Sequence, residues 1–258
     1  MRQLLLAVAG GAALALSLPG PAALAAGKDA ALTTAVEKPG RPADAVALDA
    51  SRKPVQVLAF LGLRKGMQAA DIMAGSGYYT EIMARAVGPR GHVTAFEPEG
   101  FYKSDEKAAA TWDALRMRSP NVTLTVYPFD AFSAPDKSLD FTMLHLVYHD
   151  LYWESAKFGV PRIDPAAFLA TLFRATKPGG IVGVVDHVGA PGDTRTTVDK
   201  LHRIDPETVK ADFKAAGFVL EAESPLLHVA DDDHGKLVFD PAVRGKTDRF
   251  VMRFRKPR

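Results

Sequence analysis

The chain has 258 residues, with 32 Lys and Arg against 30 Asp and Glu for a net charge of +2, and 47% of residues are hydrophobic. That length buries a full core for one α/β domain or two small ones, and the balanced charge excludes a polyelectrolyte or a basic tracker of phosphate backbones. The absence of cysteine excludes disulfide scaffolds, zinc–thiolate sites, iron–sulfur clusters and thiol nucleophiles.

Met1-Arg2 is a short positive start, and Leu4 to Leu18 is free of charge. Pro19 and Pro21 break any helix, and Ala23-Leu24-Ala25 has the small-x-small pattern of a cleavage site. The run is short for a membrane span and lacks a basic stop-transfer flank. Residues 1–25 therefore read as a signal peptide, with export to the periplasm and no stable membrane anchor after cleavage. Residues 26–48 read as a flexible leader and 49–258 as the functional domain.

A helical pattern runs from Asp49 to Leu63 and stops at Arg64-Lys65-Gly66. The apolar stretch Met67–Met73 predicts a strand ending in Ala74-Gly75-Ser76-Gly77, and Tyr78–Val87 a helix with Ile82, Met83, Ala86 and Val87 on one face. His92–Glu97 predicts a second strand and 104–118 a helix. Val122–Tyr127 and Leu139–Leu146 are the third and fourth strands. A helix from Asp164-Pro165 to Thr176 ends at the turn Lys177-Pro178-Gly179-Gly180, before the strand Ile181–Asp186. Pro206 opens a helix to Gly217, and Phe218–Glu223 and Arg249–Phe254 are the closing strands. Strands alternating with helices predict an α/β fold with a doubly wound, mostly parallel sheet.

In such a sheet ligands lie outside the carboxyl ends of the strands. Gly75-x-Gly77 lets a ligand approach the backbone and turns the chain into a helix N-terminus. A dinucleotide fingerprint would place a third glycine where the chain has Thr80. Glu97 ends strand two, where a carboxylate can accept both hydroxyls of a ribose. Asp130 follows strand three, where it can accept from an adenine amine. Together they point to a nucleoside ligand.

Asp71-Ile72-Met73-Ala74-Gly75-Ser76-Gly77-Tyr78, Glu97, Phe129-Asp130, Asp140–Leu146 and Lys177-Pro178-Gly179-Gly180 resemble the successive motifs of class I S-adenosylmethionine-dependent methyltransferases. The resemblance covers about residues 50–254. It implies a Rossmann-like seven-stranded sheet with an antiparallel last strand. It also implies S-adenosyl-L-methionine as cofactor, held by Asp71, Gly75, Ser76, Gly77, Glu97 and Asp130. Tyr148-His149-Asp150, Val185-Asp186-His187, Leu201–Asp205 and Arg244–Phe250 more narrowly resemble a group of exported bacterial methyltransferases. Many class I enzymes carry a glycine where this chain has Met73.

The loop after strand four is where this fold places the methyl acceptor. His149 is the first candidate base, Tyr148 could orient the acceptor, and Asp150 and His187 complete the catalytic candidates. The missing Asn/Asp-Pro-Pro-aromatic run argues against DNA and protein-amide substrates and for a small-molecule acceptor methylated at oxygen or nitrogen. Two readings compete for the polar groups. In one, His149 or His187 is a base oriented by a carboxylate; in the other, Asp150 and Asp186 hold a divalent metal. The site as assigned contains no metal ligand.

His202-Arg203 can approach the same rim, or Arg203 can pair with Asp205. Asp231-Asp232-Asp233-His234 reads as a solvated loop. Trp153 either lines an acceptor pocket or packs. The link from Glu223 to Arg249 is about 25 residues, much longer than the usual connection, and must lie on the carboxyl rim; it is expected to wall or cover the site.

Overall fold

A computed structural model describes residues 30–258. The expected signal peptide and cleavage point lie outside these residues. Among the described residues, no helix is long and apolar enough to cross a membrane.

Within the segment expected to be a flexible leader, residues 30–37 and 43–47 are helical. Helix α1 covers 30–37, followed by α2 (Ala43–Ala47), α3 (Asp49–Arg52) and α4 (Pro54–Leu61). Leu32 and Ala35 are buried against the core. Arg41 grips the Asp49 carboxylate through two hydrogen bonds of 2.7 and 2.8 Å, and the Tyr78 hydroxyl donates to the same group at 2.7 Å. Two apolar residues and one paired arginine thus fasten a segment whose composition alone looked solvated. The single helix expected from Asp49 is broken at Lys53, which takes a left-handed φ of 45° before Pro54. Proline disfavours helical backbone at the residue before it and lacks the donor that a continuing helix needs.

The sheet begins with β1 (Gln68–Ile72), α5 (Tyr78–Val87), β2 (His92–Pro98), α6 (Glu99–Ser104), α7 (Ala108–Arg118), β3 (Val122–Tyr127) and β4 (Leu139–His145). A 3₁₀ turn, Tyr148–Tyr152, leads toward α8 (Pro165–Ala175), β5 (Thr176–His187), α9 (Thr194–Leu201), α10 (Pro206–Ala215), β6 (Val219–Ser224) and β7 (Arg249–Arg255). The strand order is β3-β2-β1-β4-β5-β7-β6, and β7 runs antiparallel to both β5 and β6. The doubly wound, Rossmann-like seven-stranded sheet with its antiparallel last strand is borne out.

Central strands are buried on both faces, so β1 is buried without alternation from Ala69 to Ile72, Asp71 included. Ile82, Met83 and Val87 of α5 pack one apolar layer with Leu58, Leu61 and Trp112. Leu169, Leu172, Val209 and Phe213 of α8 and α10 build the other. Strand β5 starts earlier than expected: Lys177-Pro178-Gly179-Gly180 belongs to it, with a shift of register between Leu139 and Phe141 of β4. Helix α9 escaped the sequence reading because Val198 is its one buried residue. Its legible signal is the cap, where Asp193 accepts from the Thr196 amide at 2.8 Å.

Strand order reverses between β1 and β4, the switch point at which an open α/β sheet leaves a crevice. The loops after β1, β2, β4 and β5 meet there.

Candidate active site

The turn from β1 to α5 is built around two left-handed glycines, Gly75 (φ 58°) and Gly77 (φ 80°). A methyl group at Gly77 would collide with Leu115 and Trp112, whereas at Gly75 it would enter open space. Gly77 is therefore a packing requirement, and Gly75 leaves backbone bare toward a cavity of about 340 Å³. Met73 also has a positive φ, 51°, so the chain keeps a glycine-like bend at a side chain that must bear its strain.

Glu97 and Ser76 line this cavity. Glu97 is buried, and its Oε2 accepts from the Gly75 amide at 2.7 Å. Burial, with Asp71 and Asp150 nearby, pushes the Glu97 carboxyl up to about 8, against the pull of the Gly75 amide. Asp71 does not line the cavity; its Oδ2 accepts from the Thr80 hydroxyl at 2.6 Å and braces the turn. Thr80, which departs from the dinucleotide fingerprint, is thus the partner that Asp71 needs. Asp130 is exposed and lines a separate depression of about 250 Å³ with Arg162 and Asp164. Gly75, Ser76, Gly77 and Glu97 come together as expected, whereas Asp71 supports them and Asp130 stands apart.

These residues suit S-adenosylmethionine. The cavity falls in the range of about 300–1,000 Å³ usual for small-molecule sites, bare backbone opens at Gly75, and a buried carboxyl stands ready for a diol. Phe101, Asp105 and Trp112 also line it; no motif marked them in the sequence.

A second cavity of about 540 Å³ adjoins the first, and Asp150 and Phe101 line both. His149, His187 and His202 face it, with Trp153, Phe158 and Phe239 as aromatic walls. His149 follows β4 on the 3₁₀ turn. Its Nδ1 lies 2.8 Å from Asp186 Oδ1, and its amide donates to Asp186 Oδ2 at 2.9 Å. Burial opposes charge on His149, yet Asp186 and Asp150 outweigh it and raise the imidazole to about 9. Burial pushes His187 down to about 3 and His202 to about 4, in both cases helped by His149. Burial raises Asp150 to about 6, with Asp186 adding to the shift and His149 opposing it. His149, the first candidate base, is therefore the imidazole that already holds a proton at neutral pH.

Tyr148 is placed elsewhere. Its ring is fully buried against Phe213, and its hydroxyl donates to Asp212 on α10 at 2.8 Å. Along a 3₁₀ turn successive residues point in different directions, so Tyr148 goes to the core while His149 and Asp150 reach the cavity. Tyr148 anchors the turn to α10 and does not line the second cavity.

The solvated-loop reading of Asp231–His234 fails at Asp232. Its carboxylate is buried and takes two hydrogen bonds from Arg203, at 2.8 and 3.0 Å. Arg203 thus pairs across the fold rather than with Asp205. The Val238 amide donates to Leu201 at 3.1 Å, which holds the long link against the end of α9. Val238 and Phe239 then wall the second cavity, where the link was expected.

The protein-L-isoaspartate(D-aspartate) O-methyltransferase (PCMT) family profile matches residues 47–117, which carry the β1–α5 turn and Glu97. A demethylmenaquinone methyltransferase of Staphylococcus aureus is 28% identical over 130 residues, covering 49% of this chain and 46% of the relative. The chain thus spans about half the length of the curated relatives it matches. Among solved structures, a SAM-dependent methyltransferase from Aquifex aeolicus superposes with a TM-score of 0.57 at 21% identity, covering 84% of this chain and 98% of the other. The [4+2]-cyclase SpnF superposes at 0.56 and 20% identity, covering 93% and 97%. The chain has the fold shared by S-adenosylmethionine-dependent methyltransferases, and its cavity beside Glu97 stands at that fold's switch point.

Proposed function

We propose that the protein is an S-adenosylmethionine-dependent methyltransferase that acts on a small molecule at oxygen or nitrogen. The observation that carries this reading is the shared wall: Asp150 and Phe101 line both the cavity beside Glu97 and the aromatic cavity of the three imidazoles. Bound beside Glu97 and Gly75, S-adenosylmethionine supplies an electrophilic methyl group on a sulfonium. The work of the chain is then mostly positioning. Trp153, Phe158 and Phe239 hold an apolar acceptor face. His187 has no carboxylate on its ring and is fixed through Nδ1, 2.7 Å from Thr247 Oγ1. As a neutral imidazole it accepts a hydrogen bond from the acceptor hydroxyl or amine, and the proton lost as the new bond to carbon forms passes on to solvent.

Calorimetric titration with S-adenosylmethionine, S-adenosylhomocysteine and NAD tests the cofactor. Heat with the first two and none with NAD is expected; the reverse would overturn the proposal. Phe239→Ala removes a half-exposed aromatic wall, about 1 kcal/mol of apolar contact. It should lower kcat/KM for an acceptor about fivefold and leave the affinity for S-adenosylmethionine within twofold. An equal loss in both would place Phe239 with the cofactor.

Export is part of this proposal, supported by the uncharged run Leu4–Leu18 and by Ala23-Leu24-Ala25. Mass spectrometry of the mature protein should find Ala26 at the N-terminus; an intact Met1 in the cytosolic fraction would refute it.

A further inference from the structure

Three ligating groups converge on one wall of the aromatic cavity: the imidazoles of His149 and His202 and the carboxylate of Asp150. One ligand atom from each lies within 4.8 Å of the others. His149 Nε2 stands 3.4 Å from Asp150 Oδ1, and His202 Nδ1 stands 3.9 Å from the same oxygen. These gaps exceed ordinary hydrogen bonds. They are close to the edge of about 3.4 Å that separates tetrahedral ligands on bonds of about 2.1 Å.

We propose that His149, Asp150 and His202 bind one divalent transition metal, with its remaining coordination positions open to the aromatic cavity.

Two further features are built for this. Among the described residues, no hydrogen bond reaches the Asp150 carboxylate, whose side chain is 12% exposed and faces the two cavities. A carboxylate that faces a cavity without protein donors is free to take a cation. Asp186, in contrast, is saturated: Oδ1 faces His149 Nδ1 and the His187 amide, and Oδ2 takes the His149 amide. It is therefore a positioning residue and not a ligand. It holds a His149 proton on Nδ1, so that a metal displaces the Nε2 proton beside Asp150, the arrangement by which carboxylates orient metal-binding imidazoles. His202 supplies the second feature. It ends α9 with a left-handed φ of 48°, a place that glycine or asparagine usually takes. The strained residue there carries an imidazole into the cavity, edge-on to His149 with ring centroids 5.4 Å apart.

Two imidazoles and one carboxylate suit zinc, cobalt, iron or manganese better than magnesium or calcium. Because Asp150 also borders the cavity of Glu97, an acceptor oxygen on the metal would lie beside the cofactor. That last step rests on the methyl-transfer reading; metal binding does not.

The test is titration of the chelator-treated full-length protein with Co²⁺, read by its visible spectrum, and with Zn²⁺. One equivalent of each is expected. His202→Asn keeps a residue that tolerates the left-handed backbone, and Asp150→Asn keeps the shape. Each should weaken Co²⁺ binding at least tenfold while melting near the wild type. X-ray absorption of the wild-type Zn²⁺ complex should show two imidazoles, a readout that no unfolded variant can spoil. No uptake by the wild type, equal uptake by both folded variants, or a zinc shell without imidazole would overturn the site. Titration with S-adenosylmethionine on the same samples reads the cofactor proposal separately.

Discussion

Asp232→Ala should destabilise the protein by about 3–5 kcal/mol, the cost of leaving a buried charge without its partner. The Arg203 side chain is 0% exposed and that of Asp232 is 1%. Arg203 also donates to the Lys236 and Val188 carbonyls, and Asp232 accepts from the Asp248 amide. Alanine would remove both guanidinium bonds and the Asp248 acceptor, with no solvent to replace them. Since a domain is stable by about 5–15 kcal/mol, urea unfolding should show a large fall in midpoint, or the protein should fail to accumulate. Glu154→Ala is the control, because Glu154 and Arg162 pair at an exposed site and such pairs contribute about 0–1 kcal/mol. A loss under about 1 kcal/mol for Asp232→Ala would mean that Arg203 finds water or another acceptor. Deleting 230–236, which the sequence alone suggested as a test of a lid, would remove this anchor. Phe239→Ala tests the wall without touching it.

Binding of S-adenosylmethionine should strengthen as pH rises toward 8 and then level off. Glu97 is raised to about 8 by burial and by Asp71 and Asp150, so below that pH the free protein holds its proton. A carboxylate accepts from both hydroxyls of a diol, and a carboxylic acid does so less well, so binding must expel the proton. Affinity then changes by up to tenfold per pH unit below 8, and calorimetry in buffers of different ionisation enthalpy should detect proton release. The linkage to stability has the opposite sign. An acid raised in the folded state favours folding fully below its unfolded pKa of about 4.5, and that contribution is lost as pH rises through 8. Cofactor should restore it. Glu97→Ala removes a charge-assisted acceptor worth about 1.5–3 kcal/mol, so affinity should fall tenfold or more. Glu97→Gln should keep an oxygen for the Gly75 amide and reduce the pH dependence. Asp71, raised to about 7 chiefly by burial, also titrates in this range but does not line the cavity, so its variant Asp71→Asn should keep the Glu97 slope. Unchanged affinity in a folded Glu97→Ala protein would place the ribose elsewhere.

The succession of strands and helices and the glycine turn with Glu97 were legible in the sequence because each rests on short-range rules, whereas the reversal of the last strand followed from the resemblance to the methyltransferase fold. Buried strands read as apolar runs, helices as a 3.6-residue period, and a left-handed bend as glycine. The same rules misread 30–48, where only Leu32, Ala35 and Arg41 are buried and Arg41 finds its partner Asp49, itself held by Tyr78, further along the chain. They also passed over α9, which buries too little to leave a stripe. The residue types of the second cavity were visible as His149-Asp150, Asp186-His187 and His202, but their roles were not. Which imidazole is tied to Asp186, which face the cavity, and that Tyr148 turns to the core all depend on pairings across 37 to 64 residues. Arg203 and Asp232 are the clearest case. Neither position carries a periodic or turn signal for the other, and both look like surface charges until folding removes the water around them. Local sequence therefore determined the scaffold and the cofactor turn. Burial and long-range contact, which set the protonation and orientation of each polar group, were decided only by the tertiary structure.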